Sequence, residues 1–113
     1  MKQMITLAAM GALLCSVPAQ AINITTVGTI TNTRNYTLLH TNQLARGFTM
    51  IQLSTPLGDG CIWAFIDATD KNALAIVLAA KASATSVTVT YASHITSPWG
   101  DAPVCAVLSI EMS

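Results

Sequence analysis

The sequence predicts a small, β-rich α+β domain with four strands, one helix and two further strands. Short runs rich in β-branched residues are separated by turns that contain Gly, Pro and Asn. One Ala- and Leu-rich segment, free of Gly and Pro, has helical spacing. Cys61 and Cys105 form an even pair in the exported chain, which in a small domain of an oxidising compartment indicates a disulfide. Two buried free thiols are the alternative.

The first 21 residues have the three parts of a secretory signal peptide. Lys2 supplies the positive charge, an apolar run extends over residues 4–17, and Ala19-Gln20-Ala21 matches a cleavage site. The run is shorter than the roughly 20 residues that span a bilayer, so we expect no membrane anchor. An ordinary buried helix is the alternative. We therefore predict that residues 1–21, with Cys15, are removed, and that residues 22–113 form a single domain in the periplasm or outside the cell.

Alternating and apolar runs mark the strands. The predicted strands before the helix cover residues 22–30, 36–39, 48–53 and 61–66, with turns at 31–35, 42–47 and 56–60. After the helix come a short strand over 87–91, a loop over 94–103 and a last strand over 104–112. Strict alternation in the last strand would place Val104, Ala106, Leu108, Ile110 and Met112 on one face, and Cys105, Val107, Ser109 and Glu111 on the other.

The predicted helix covers residues 71–84, with Thr69 or Asp70 able to cap its first turn. One face carries Leu74, Val77, Leu78 and Lys81, and the other side carries Ala73, Ile76 and Ala80. A helix that is apolar nearly all round is usually enclosed, and one face is too little for that. We therefore expect a second copy of the chain to cover part of it, with Ala73, Ile76, Val77 and Ala80 in the interface.

Composition points the same way. Hydrophobic residues make up 52% of the chain and charged residues 9%, against a usual charged fraction of about a quarter. A monomer of this size would expose much apolar surface, which favours a homo-oligomer, with a hydrophobic monomer rich in small residues as the alternative. The sequence has no basic stripe, so a nucleic acid partner is disfavoured.

Catalytic patterns are missing from the sequence. His40 and His94 are far apart and have no acidic neighbour, and no nucleophile turn, phosphate loop or zinc spacing occurs. Asp67 and Asp70 stand three residues apart where a strand meets the helix. Paired carboxylates serve acid–base chemistry or calcium, but at this place helix capping is favoured. We expect no enzyme activity, no cofactor and no metal.

Trp99 and Asp101 are the candidate ligand-binding residues. They lie in a loop with Pro98 and Gly100. An exposed Trp beside hydrogen-bonding groups can stack on a sugar or anchor a protein contact. The alternative is a Trp99 that folds back over the disulfide and covers the core. Trp63, within an apolar strand, is predicted to be a core residue.

The segment KNALAIVLAAKASATSVTVTY, residues 71–91, resembles the helix and following strand of B subunits from pentameric bacterial AB toxins of the Shiga-like and subtilase types. Cys105 and the terminal AVLSIEM are similar as well, so that the resemblance covers mainly residues 61–113. It implies an OB-like barrel of five or six strands and a ring of five copies with the helices at its centre. It also implies an A-type toxin subunit and a host glycan as partners.

The chain departs from that family in two places. The expected partner of Cys105 is Cys61, rather than a cysteine near the mature N-terminus. Ala84-Thr85-Ser86 stands where a Gly is usual between helix and strand. No sugar-binding residue of the family can be matched, so none is transferred. The leading expectation is a secreted, non-enzymatic binding subunit that recognises a glycan. The alternative is a stand-alone periplasmic structural or inhibitory protein that binds another protein.

Overall fold

The computed structural model describes residues 23–113, so the predicted signal peptide, its Cys15 and residue 22 lie outside the described residues. The described chain confirms the β-rich α+β class and the predicted order of elements. These are β1 (Asn23–Gly28), β2 (Ile30–Asn35), β3 (Thr49–Leu53), β4 (Trp63–Ile66), α1 (Lys71–Ser83), β5 (Val87–Thr96) and β6 (Val104–Met112). A 3-10 turn at Gln43–Ala45 stands between β2 and β3.

The six strands form one open sheet in the order β1-β5-β6-β4-β3-β2. All neighbours are antiparallel except β4 and β6, which run parallel because α1 crosses between the two parts of the sheet. The strands at the two ends of the order, β1 and β2, follow each other in the chain with only Thr29 between them. Because β1 and β2 are not hydrogen-bonded neighbours in this strand order, the sheet does not form a closed barrel.

The segment 31–35, predicted as a polar turn, is a strand. It belongs to β2, which pairs with β3 from Ile30↔Leu53 to Asn35↔Thr49. Every β2 residue after Ile30 is exposed, so polar side chains cost nothing there and the apolar signal of a strand is missing. The predicted strand at 36–39 is instead a turn, in which His40 N–H donates to the carbonyl of Thr37 (3.1 Å).

The last two strands also differ from the prediction. β5 continues to Thr96, where a loop was expected from residue 94. In β6 the predicted strict alternation is interrupted, because Thr90 pairs with Ser109 while Tyr91 pairs with Val107. This bulge leaves Leu108 unpaired and changes the face of the residues beyond it. Val107 and Ile110 therefore pack on the same side as Cys105, which corrects the predicted face of Ile110.

Local chemistry sets the ends of α1. Asp70 Oδ1 accepts a hydrogen bond from Ala73 N–H (3.1 Å), which confirms the capping role. At the other end Ala84 adopts the left-handed conformation (φ 53°), which terminates the helix one residue before the predicted end. Residues with a Cβ are disfavoured in the left-handed conformation, so Gly is usual at such a helix end. In this chain Ala84 adopts that conformation although it is not Gly.

Two apolar clusters lie on opposite faces of the sheet. The helix-side core consists of Ile30, Ile51, Leu53, Cys61, Ala64, Ile66, Ala73, Val77, Ala80, Val87, Val89, Tyr91 and Cys105. It includes the predicted Cys61–Cys105 disulfide, which is confirmed, with Cα atoms 5.8 Å apart. The aromatic face consists of buried Met50, Phe65, Val104 and Ala106, with partly buried Tyr36, Phe48, Trp63 and Trp99 packed against them. Within residues 23–113, no helix is long and apolar enough to cross a membrane.

Candidate functional site

Trp99 packs into the aromatic face. Its ring centroid lies 5.5 Å from that of Tyr36, 5.2 Å from Phe48 and 5.8 Å from Phe65, at tilted or edge-on angles. The indole Nε1 is buried and has no hydrogen-bond partner among the described residues. The ring thus folds back over apolar residues, as the alternative expected, although it covers the aromatic face and not the disulfide on the other side of the sheet.

The loop that carries Asp101 is closed by its own hydrogen bonds. Asp101 N–H donates to the buried hydroxyl of Ser97 (2.8 Å), and Gly100 N–H donates to the carbonyl of Ser97 (2.9 Å). The side chain of Asp101 is exposed. The structure therefore places Trp99 and Asp101 on one short loop, with the indole packed inward and the carboxylate outward.

A polar strip on the aromatic face was missed by the sequence. Arg34 lies with its guanidinium carbon 4.7 Å from the centroid of the Trp63 ring. Asn32 Nδ2 donates to Gln52 Oε1 (2.9 Å), and Gln52 Nε2 donates to the carbonyl of Ile62 (3.2 Å). Asn32 and Arg34 were missed because they stand in the segment predicted as a turn, and Trp63 because it was predicted to be core.

This strip is built on three neighbouring strands. Asn32 pairs with Gln52 across β2 and β3, and β3 pairs with β4, which begins at Trp63. A planar ring, two planar amides and a guanidinium thus lie on a rigid sheet. A cavity of about 370 Å³ adjoins the two amides and is lined by Thr31, Asn32, Gln52, Leu53, Pro56, Leu57, Cys61 and Ile62. An aromatic surface beside fixed hydrogen-bonding groups is the usual composition of a small-ligand site.

The faces of α1 differ from the predicted ones. Ala73, Val77 and Ala80 are buried in the chain's own helix-side core, and Ile76 is half-buried. Leu78, predicted on the face with Val77, is 70% exposed. Three of the four predicted interface residues thus belong to the domain's own core, and of the four Ile76 is the one that is partly exposed. The surface that α1 leaves free runs along its other side.

Open strand edges flank that free surface on both sides. Between β2 and α1 lies a groove of about 420 Å³, lined by Thr33, Arg34, Asn35, Thr49, Leu74, Val77, Leu78 and Lys81. Between β6 and the start of α1 lies a second groove of about 280 Å³, lined by Ile66, Asp67, Asp70, Asn72, Ala73, Ile76 and residues 107–110. β4 pairs with β6 only over Val104–Ala106, so the rest of β6 has a hydrogen-bonded neighbour on the β5 side alone.

The paired carboxylates have structural roles. Asp67 Oδ1 accepts hydrogen bonds from the Thr69 hydroxyl (2.6 Å) and from Thr69 N–H (2.8 Å). The hydrogen bond from the Thr69 hydroxyl is the larger cause and the one from the Thr69 N–H the smaller. Together they hold the pKa of Asp67 below its usual value. Asp70 caps α1, as described above. Within residues 23–113 no group of three or more His, Cys, Asp or Glu side chains is placed to hold a metal ion.

No protein-family model, no curated protein and no solved structure matches the chain. A functional assignment therefore depends on the surface features of the chain itself.

Proposed function

We propose that the chain is a secreted or periplasmic, non-enzymatic binding subunit that assembles with copies of itself and recognises a glycan. The observation that carries the proposal is the pair of open strand edges, one on β2 and one on β6, that flank the exposed apolar side of α1. A chain with two different edges of this kind can join the β2 edge of one copy to the β6 edge of the next.

The backbone of β2 is oriented for such pairing. Tyr36 N–H donates to the carbonyl of Phe48 (3.0 Å), so alternate β2 residues direct their backbone groups toward β3. The groups of Thr33 and Asn35 consequently point away from β3, toward the groove beside α1. A strand added there would satisfy these groups and lay its side chains on Leu74 and Leu78.

Joining unlike edges gives a head-to-tail contact, and such contacts produce closed rings when the rotation between copies allows it. The similarity of residues 71–91 to toxin B subunits favours five copies, with α1 toward the centre and an A-type subunit as the partner of the ring. The exposed Leu78 then becomes buried between copies, which agrees with the high apolar fraction of the chain.

We also propose that the sheet is an OB-like, partly open barrel. Supporting this, the two end strands are consecutive, and Ser54 bridges them at Thr29. Thr29 N–H donates to Ser54 Oγ (3.0 Å), and Ser54 N–H donates to the carbonyl of Thr29 (2.8 Å). The strand sequence β1–Thr29–β2 would then be one bent strand that pairs with β5 in its first half and β3 in its second.

The proposed glycan surface is the strip of Asn32, Arg34, Gln52 and Trp63. Arg34 offers N–H donors beside an aromatic ring, and Asn32 Oδ1 remains an acceptor beside its amide hydrogen bond to Gln52. Sugars are bound by this combination of an aromatic ring and planar polar side chains. Trp99 and Asp101 remain a second candidate surface, and one experiment separates the two.

The assembly is tested by the native mass of the oxidised mature protein, measured by sedimentation or light scattering. We expect a defined oligomer for the wild type and a folded monomer for Thr33→Pro, because proline removes an outward N–H at an edge without disturbing the β2–β3 hydrogen bonds. Thr33→Ser is the matched control and should assemble normally. A monomeric wild type would contradict the ring, and an unchanged mass for Thr33→Pro would exclude the β2 edge.

Glycan recognition is tested by screening the wild type on immobilised glycans and repeating each hit with variants. We expect glycan binding to fall at least about tenfold in Arg34→Ala and Gln52→Ala, since each removes protein groups that would hydrogen-bond the ligand. The comparison variants Asp101→Asn and Trp99→Phe keep the strip intact and should bind normally. Loss confined to the comparison variants would transfer the site to the Trp99 loop.

The alternative function is a stand-alone periplasmic structural or inhibitory module that binds another protein. The same open β2 edge supports it, because an extended segment of a different protein could pair there as well. A monomeric wild type that ignores every glycan and retains one protein partner, lost in Thr33→Pro, would favour this function over the first.

A further inference from the structure

The free edges of β2 and β6 carry opposite charges on the same face of the sheet. Arg34 lies on β2 opposite Met50, which belongs to the aromatic face, so both side chains project away from α1. Glu111 lies on β6 opposite Thr88, next to Ile110, which packs against the helix-side core. Because side chains alternate along a strand, Glu111 also projects away from α1. Both charged side chains are exposed, and neither meets an opposite charge across its own sheet.

The grooves beside the two edges have complementary charges as well. Arg34 and Lys81 line the groove beside β2, together with neutral residues. Asp67 and Asp70 line the groove beside β6, whereas Lys71, which follows Asp70 in the chain, is not part of its lining. Charge therefore favours the β2 edge of one copy against the β6 edge of another, and disfavours two like edges.

Two residues of β2 present free backbone groups for such pairing. The backbone groups of Thr33 and Asn35 point away from β3, toward the groove beside α1. Nearer the start of β2, the carbonyl of Thr31 accepts a hydrogen bond from Lys81 Nζ (2.9 Å) and is already occupied. A strand added to this edge therefore pairs with Thr33 and Asn35.

Two residues of β6 present free backbone groups in the same way. Ser113 N–H donates to the carbonyl of Ser86 (3.0 Å), so residues 113, 111 and 109 direct their backbone groups toward β5. Ile110 and Met112 consequently direct theirs toward the open edge. Leu108 is unpaired at the bulge, so regular pairing ends before it. The free residues of β6 thus have the same spacing as those of β2.

The direction of pairing follows from the faces of these residues. Thr33 lies opposite Ile51 and Met112 opposite Val87, and both partners belong to the helix-side core. Residues that exchange hydrogen bonds in an antiparallel pair share a face, whereas a parallel pair offsets them by one residue and reverses the face. A ring with α1 of every copy toward its centre therefore needs the antiparallel pair.

We propose that β2 of one copy pairs antiparallel with β6 of the next, with Arg34 directly opposite Glu111. The free backbone residues then exchange hydrogen bonds in the pairs Thr33 with Met112 and Asn35 with Ile110. The face of the Arg34 guanidinium stays on Trp63, and its N–H groups donate to the carboxylate of Glu111 in the next copy. This register rests on the proposed assembly of copies through β2 and β6.

The register is tested by cysteine cross-linking of the mature oxidised protein. Positions 34 and 111 would form a non-hydrogen-bonded pair with Cα atoms about 4.5 Å apart, which is within disulfide range. We expect Arg34→Cys/Glu111→Cys to give a ladder of covalent multimers on a non-reducing gel. The matched control Arg34→Cys/Ser109→Cys places the two positions diagonally, about 7–8 Å apart, and should remain unlinked.

The charged contact is tested by exchanging the two charges. Glu111→Arg places like charges opposite each other, so we expect the dissociation constant between copies to rise about tenfold. Native mass against protein concentration measures this constant. Arg34→Glu/Glu111→Arg restores an opposite pair and should recover assembly. Asp101→Arg, the same change of charge at another exposed acidic residue, is the control and should assemble normally.

The possible failures are distinguishable. An oligomeric wild type with no multimers from the 34/111 pair, or with equal multimers from both cysteine pairs, would overturn the register alone. An unchanged constant in Glu111→Arg, or no recovery in the double exchange, would overturn the charged contact. A monomeric wild type would contradict the proposed assembly itself. Both measurements are made without glycan, so they are independent of the proposed role of Arg34 in glycan recognition.

Discussion

At the scale of single residues, Tyr91 links three parts of the helix-side core. Its ring is fully buried on β5, and its hydroxyl lies 2.8 Å from the Thr26 hydroxyl on β1. The same oxygen accepts a hydrogen bond from Gly58 N–H (2.6 Å) in the connection between β3 and β4. A buried phenol is stable only with such partners, so this one side chain joins two strands and a loop.

Replacing Tyr91 with Phe should destabilise the protein by about 1–3 kcal/mol, because the Gly58 N–H and the Thr26 hydroxyl lose their partner inside the core. The urea midpoint should fall while the slope of the transition stays the same. Tyr36→Phe is the control, since no described residue hydrogen-bonds to the Tyr36 hydroxyl, and it should change the free energy of unfolding by less than about 0.5 kcal/mol. Equal effects of the two variants would contradict this role.

Asp67 has a lowered pKa that depends on Thr69. Since its folded pKa lies below the unfolded value, the contribution to stability is complete above the unfolded pKa and is lost as the pH falls through the folded one. Thr69→Ala should raise the Asp67 pKa part of the way to its usual value, because the backbone hydrogen bond remains. An NMR titration of the Asp67 carboxyl measures it, with Thr41→Ala as the remote control. An Asp67 pKa that does not move would exclude the hydroxyl as the main cause.

At the scale of elements, α1 has one buried and one exposed apolar side. Ala73, Val77 and Ala80 face the sheet, and their small size lets the helix approach it closely. Leu78 points away from the core. The helix thus has one buried and one exposed side, although both sides consist mostly of apolar residues.

The two sides of α1 should respond differently to truncation. Val77→Ala should cost about 2 kcal/mol, since two buried methyl groups are lost from a site that is 2% exposed. Leu78→Ala should change the unfolding free energy of dilute protein by less than about 0.5 kcal/mol, while weakening the proposed assembly. Chemical denaturation and native mass measure the two effects. A large loss of stability in Leu78→Ala in a monomeric sample would contradict this assignment of faces.

At the scale of the whole molecule, the disulfide joins Cys61, two residues before β4 begins, to Cys105 on β6, and the chain between them includes α1. The linked residues are 44 positions apart in the sequence, and both are buried in the helix-side core. The sheet alone holds β4 and β6 together over three residue pairs, so the covalent link reinforces a short parallel contact. A domain of this size has a small core and gains much from such a link.

Replacing both cysteines with Ala should lower the unfolding free energy by about 4 kcal/mol according to the chain-entropy relation for a loop of this length. Thermal and urea unfolding of Cys61→Ala/Cys105→Ala, compared with the oxidised wild type, measure the loss. A double variant as stable as the wild type would show that the β4–β6 contact needs no covalent support.

Much of the element order could be predicted because its signals are local. Asp70 caps α1 wherever the helix packs, and the alternation of residues 87–91 is visible without knowing the neighbouring strands. The strip of Asn32, Arg34, Gln52 and Trp63 could not be predicted in the same way. Its members come from three strands, and no local pattern shows which of them share a face.

By itself the sequence determined the fold class, the order of strands and helix, a cap for α1 at Thr69 or Asp70, and the partner of Cys105, since these depend on residue type, short-range spacing and cysteine count. Only the tertiary structure decided that the polar residues 31–35 form a strand, that Trp99 packs inward, and that Leu78 rather than Ala73 remains exposed. The physical reason is that pairing and burial are properties of residues distant in the chain. A polar edge strand or a uniformly apolar helix has no sequence signal for the side that will meet the core.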